Sequence, residues 1–136
     1  MARVTWDKLF NVGNKELDAQ HKELIHFMNE VYERLESSVN VGDYDDFFDK
    51  LKKHAEEHFS TEEKYFSKTH YKDAASHTKQ HTQIKAQIAR LEEEFNEHPS
   101  TEKVFATLQF LDDWLFKHII LSDKKYEEHF KKHKLL

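Results

Sequence analysis

Along residues 73–97 the side chains Ala74, His77, His81, Ile84, Ile88, Leu91 and Phe95 recur in strict alternation of threes and fours. That spacing keeps all seven on one face of an α-helix and on no single face of a strand. Three other segments repeat the pattern. His21, Leu24, Ile25, Met28, Val31, Tyr32 and Leu35 predict a helix over about 19–38 with Asp18 as its N-cap. "NVGD" then interrupts, with Gly42 as a turn residue and Asp43 as the next cap. A second helix over about 44–66 carries Phe47, Phe48, Leu51, Ala55, His58, Phe59, Glu62 and Phe66. Pro99 stops the third, because it lacks a donor and disfavours a helical residue before it. Ser100 or Thr101 caps a fourth over about 101–132, its inner stripe running Val104, Phe105, Leu108, Leu111, Leu115 and His118. Two glycines and one proline leave little punctuation for hairpins, while eleven phenylalanines supply a core. The expected fold is one all-α domain over 1–136, an up-down-up-down antiparallel four-helix bundle with residues 1–17 as an N-terminal arm.

The formal net charge of −5, with lysines dispersed along the chain, argues against nucleic acid as a partner. The absence of cysteine removes disulfides and thiolate ligands. No apolar run reaches signal-peptide or membrane-span length, so the reading is a cytoplasmic protein without membrane insertion. No apolar seam suggests assembly, and a monomer is expected.

The apolar stripes carry ionisable intruders: His21 on the first helix, His58 and Glu62 on the second, His77 and His81 on the third, His118 and then Asp123 on the fourth. Unpaired, each would cost several kcal/mol to bury. Their heights agree. His21 lies about 18 residues before the turn near residue 39, and His58 about 19 after it. His58 and Glu62 precede the connection near 69 by about 11 and 7, while His77 and His81 follow it by about 8 and 12. His81 and His118 flank Pro99 at about 18 and 19. All four helices therefore bring intruders to one level of the bundle: His21, His58, Glu62, His77, His81 and His118. His54 stands roughly 6 Å along the second helix from His58 and falls off that level, so it reads as a residue supporting the ligands or as a surface one; His26, His70, His98, His129 and His133 read as surface or loop residues.

Five imidazoles and two carboxylates exceed one tetrahedral zinc and suit two metals bridged by Glu62 and Asp123. Nitrogen and oxygen donors without sulfur fit iron or manganese, with zinc or copper admitted by affinity. Dividing five histidines three and two, with a bridging solvent oxygen, leaves one coordination position open for a small ligand. His118 and Asp123 lie about 140° apart on an ideal helix, which predicts a π-bulge or a break between residues 118 and 123.

A lone histidine on the first helix, "HFSTE" as His-x3-Glu, "HTKQH" as His-x3-His and "HIILSD" as His-x4-Asp together resemble the hemerythrin family, most closely its single-domain bacterial branch. The resemblance covers nearly the whole chain. It implies two iron ions per chain with a bridging oxo or hydroxo group, and reversible dioxygen binding for transport or storage. His77, His81 and His118 would hold the six-coordinate iron, His21 and His58 the open one, with oxygen bound there as hydroperoxide. Leu24, Phe59, Trp114, Leu115 and Ile119 resemble the family's pocket lining. An oxygen-consuming enzyme would be the recipient. A di-iron oxygen, nitric oxide or redox sensor, or an oxidase or peroxidase at the same centre, is the alternative. Ferritin-like enzymes need two Glu-x-x-His motifs, and the one match here, Glu23 to His26, points off the site face.

Overall fold

The computed structural model describes residues 14–121 and 123–132, with all their side chains except those of residues 116, 119–121, 123 and 124. Five α-helices follow in order: α1 (Lys15–Ser37), α2 (Phe47–Thr69), α3 (Ala74–Glu97), α4 (Thr101–Leu121) and α5 (Glu127–Lys132). Turns of 3-10 helix at Val41–Tyr44 and Asp123–Tyr126 precede α2 and α5. α1 packs on α2 and α4, and α3 on the same two, closing an antiparallel four-helix ring. No strand occurs among the described residues.

The helix ends depart from expectation where capping chemistry decides them. α1 starts at Lys15 because the Asn14 side chain accepts from the Leu17 amide at 3.0 Å, satisfying an orphan donor of the first turn. Asp18, expected as the cap, sits inside that first turn with Glu16, where the helix dipole favours both carboxylates. The helix therefore reaches back into the segment read as the arm; residues 1–13 lie outside the described residues.

Asp43 likewise caps no helix. It belongs to the 3-10 turn, whose Asn40 side chain accepts from the Gly42 amide at 3.1 Å. Fully buried Tyr44 anchors that turn by donating to the Ser38 carbonyl at 3.0 Å, so α2 begins three residues later than expected. At its other end α2 continues to Thr69. His70, at φ 54° and ψ 48°, closes it in the left-handed region, and the Tyr71 amide donates back to the Phe66 carbonyl at 3.1 Å.

Ser100 caps α4, accepting from the Lys103 amide at 3.2 Å. Lys103 in turn donates to the carbonyls of Glu94 and His98 at the end of α3, binding the two helices across Pro99. The fourth helix, expected over about 101–132 with a π-bulge or a break between residues 118 and 123, is broken within that interval. α4 ends at Leu121, and a 3-10 turn redirects the chain into α5, whose Phe130 is fully buried. His129 Nε2 donates to the Thr69 carbonyl at 3.0 Å, fastening α5 to the end of α2.

Candidate metal centre

The core is apolar along most of its length, with Met28, Leu51, Ile88 and Leu108 filling one half. Toward the α2–α3 turn it becomes polar. His21, His58, Glu62, His77, His81 and His118 are all buried there, and Glu62 has no exposed surface. Donor atoms of Glu62, His77, His81 and His118 lie within 4.8 Å of one another. Glu62 Oε1 faces three imidazoles at once, 2.8 Å from His81 Nε2, 3.5 Å from His77 Nε2 and 3.6 Å from His58 Nε2. On the far side of His58, its Nε2 stands 2.9 Å from His21 Nε2.

The protonation of these rings can be read from their other nitrogens. The Thr61 hydroxyl donates to the Glu57 carbonyl at 2.8 Å, so its lone pairs accept the Gln20 amide at 3.0 Å. That orientation turns the Gln20 carbonyl oxygen toward His58 Nδ1, which donates to it at 2.9 Å. His81 Nδ1 donates to Glu63 at 2.9 Å and His118 Nδ1 to the Gln80 carbonyl oxygen at 3.1 Å. A neutral imidazole carries one proton, so three Nε2 atoms present lone pairs inward. Support of this kind fixes ring orientation and raises ligand basicity at metal sites.

This donor set suits metal. Two bonds of about 2.1 Å at a right angle separate their donor atoms by about 3.0 Å, close to the 2.9 Å between His21 and His58. The 2.8 Å approach of His81 Nε2 to Glu62 Oε1 lacks hydrogen-bond geometry, as expected where an ion rather than a proton joins the two. Nitrogen and oxygen donors without sulfur match iron or manganese by chemistry.

Aromatic rings insulate the cluster. Phe59 stacks on His81 with centroids 4.0 Å apart, Trp114 stacks on His118 at 4.4 Å, and Phe66 meets His77 edge-on at 5.0 Å. Beside His21, His58 and His118 lies a cavity of about 20 Å³, room for one molecule of water's size. Leu24, Phe59, Trp114 and Leu115, four of the five residues expected around an open site, line it. The side chains of Ile119 and Asp123 lie outside the described residues.

Of the two places the sequence allows His54, the surface or a position supporting the ligands, the structure gives it the second. Although one turn from His58, it lines the same cavity, half-buried against Phe27 at a ring separation of 5.2 Å. Burial lowers its pKa from the ordinary imidazole value. Sequence reasoning missed Tyr126, whose hydroxyl donates to Glu62 Oε2 at 2.5 Å with both residues fully buried. The three supporting side chains left a faint signal. Gln20, Glu63 and Gln80 each adjoin a ligand candidate in sequence, and each reaches the histidine of the next helix.

A family model described as hemerythrin HHE cation binding domain matches residues 12–130. A bacteriohemerythrin of Clostridium acetobutylicum is 28% identical over 89% of this chain and 96% of its own length. One from Methylococcus capsulatus is 30% identical over 93% of this chain and 95% of its own. Among solved structures, a hemerythrin variant superposes with a TM-score of 0.84 at 27% identity, covering 95% of this chain and 98% of the other. The chain belongs to the hemerythrin family, in its bacteriohemerythrin branch.

Proposed function

We propose that this chain binds dioxygen reversibly at a pair of iron ions, as a cytoplasmic carrier or store and not as an enzyme. The observation that carries the reading is the division of the buried imidazoles around one carboxylate. His77 and His81 approach Glu62 Oε1 with His118 beside them, while His21 and His58 pair apart from them and, together with His118, border the cavity. His77, His81 and His118 would hold one iron and His21 and His58 the other, with Glu62 and Asp123 bridging. When bound, the irons supply the two electrons that dioxygen takes up on binding.

The chain's own contributions are positional. Gln20, Glu63 and Gln80 keep the protons of three imidazoles on Nδ1, so that Nε2 stays available. Tyr126 holds its proton against Glu62 Oε2 and fixes the carboxylate plane. Leu24, Phe59, Trp114 and Leu115 give the cavity apolar walls, which disfavour water and the charge separation that irreversible oxidation requires. A cavity this small suits a diatomic ligand. The reading extends to a monomer that yields its oxygen to an oxygen-consuming enzyme.

Anaerobic titration with ferrous iron, followed by air and then by removal of oxygen, tests this. Two irons per chain and a visible ligand-to-iron charge-transfer band that comes and goes with oxygen are expected. A single iron per chain, or a spectrum that decays irreversibly to the diferric form, would overturn it.

A further inference from the structure

The end of the bundle where α5 docks carries a feature that oxygen binding does not use. A surface cavity of about 350 Å³ is edged by Lys72, Lys125, Lys132, His70 and His129 against one carboxylate, Glu128. Glu128 already has a cation, Lys131, at 3.7 Å, whereas Lys72, Lys125 and Lys132 form no ion pair among the described residues. A second acid, Asp73, lies in the adjoining 120 Å³ cavity, which Lys125 also lines. The patch is locally cationic on a chain of formal charge −5. His70 holds its place on the rim at φ 54°, where glycine is usual.

The buried member of the cavity's lining is Tyr71. Its ring meets Tyr126 at 6.3 Å, and the Tyr126 hydroxyl touches Glu62 at 2.5 Å. It also meets Phe66 at 5.0 Å, and Phe66 lies 5.0 Å from His77. Two chains of aromatic contact thus join the floor of a cationic surface cavity to two residues of the candidate metal centre.

Resting on the di-iron reading, we infer that this cavity is the docking port for a small acidic one-electron carrier protein that re-reduces the centre. A carrier of oxygen that lapses into the diferric state is inert until it regains two electrons. Each encounter oxidises one reduced carrier by one electron and lowers one ferric ion to ferrous, so two encounters restore the centre. Tyr71, Tyr126 and Phe66 act as a coupling medium and are not themselves oxidised. No bond in the chain forms or breaks. Charge selects the partner: a lysine-edged concavity attracts an acidic surface and speeds its encounter, whereas the acidic remainder of the chain repels it.

The test uses the diferric protein and an oxidised acidic [2Fe–2S] ferredoxin as probe, so that binding is read without electron transfer. Biolayer interferometry at about 20 mM salt should give measurable affinity that falls at least about tenfold at 200 mM. Lys72→Glu with Lys132→Glu should cause a comparable loss while leaving oxygen binding intact. Reduction kinetics provide the second readout. Anionic ferrous EDTA should reduce the wild type faster than cationic hexaammineruthenium(II) at matched driving force, and the double variant should invert that order. Tyr71→Leu should slow both reductants. Absent binding, affinity indifferent to the charge reversal, or unaltered rates in Tyr71→Leu would each overturn the proposal. A chain that takes up no iron yet binds ferredoxin through the lysines refutes the di-iron reading and leaves the docking surface standing.

Discussion

Two tyrosines allow the charge on Glu62 to be tested through one chemical change. Tyr126 and Tyr44 are both fully buried, and each donates through its hydroxyl. Tyr126 meets a carboxylate, Glu62 Oε2, at 2.5 Å, whereas Tyr44 meets a neutral carbonyl, that of Ser38, at 3.0 Å. Replacing either by Phe deletes one oxygen and nearly nothing else. A hydrogen bond to a charged group contributes about 1.5–3 kcal/mol, a neutral one about 0.5–1.5 kcal/mol. For a chain of this length each kcal/mol shifts Tm by about 3–4 °C. Tyr126→Phe should therefore melt about 5–10 °C below the wild type and Tyr44→Phe about 2–5 °C below. Urea unfolding of the metal-free protein, followed by circular dichroism, converts the same comparison into free energy under two-state conditions. Equal losses in the two variants would refute the reasoning, since Glu62 would then not be a buried carboxylate dependent on that donor.

Further expectations follow from the same contacts. Gln20→Leu removes the acceptor for His58 Nδ1 and should speed iron loss to a chelator by about 10–100-fold; an unchanged release rate would remove Gln20 from the site. His70→Gly relieves a left-handed conformation worth about 1–2 kcal/mol against a glycine entropy cost of about 0.5–1 kcal/mol. Chemical denaturation should find it between neutral and about 1.5 kcal/mol more stable, and a loss would contradict this. Burial raises the pKa of Asp112, with an opposing contribution from the Tyr32 hydroxyl at 2.5 Å. A carboxyl with a raised folded pKa lends stability that is present below its unfolded pKa and is lost as pH rises through the folded one. Asp112→Asn should accordingly gain on the wild type as pH rises above the ordinary carboxylate range, and a difference that stays constant with pH would count against the shift.

The four long helices were legible because their apolar residues repeat in threes and fours with few breakers between them. The convergence of His21, His58, Glu62, His77, His81 and His118 on one level followed from counting residues out from each turn. What residue counting lacks is lateral reach. It gave His54 the right height but not its inclination toward the cavity. Gln20, Glu63 and Gln80 escaped because their partners are imidazoles on other helices, 18 to 38 residues away in sequence. Helix ends were misjudged where a side chain several residues upstream did the capping, as Asn14 does for α1, or where a 3-10 turn intervened, as before α2. Tyr126 reaches Glu62 only because the chain leaves α4 after Leu121, a redirection that the spacing of His118 and Asp123 hinted at without giving its form.

The claim on which the account turns is that oxygen is held and returned. Gas uptake by the diferrous protein, measured with an oxygen electrode over repeated cycles, addresses it directly. One dioxygen taken up per two irons, with the same amount released at each lowering of oxygen pressure, is the predicted result. Uptake without release, accompanied by accumulating diferric protein or hydrogen peroxide, would contradict it.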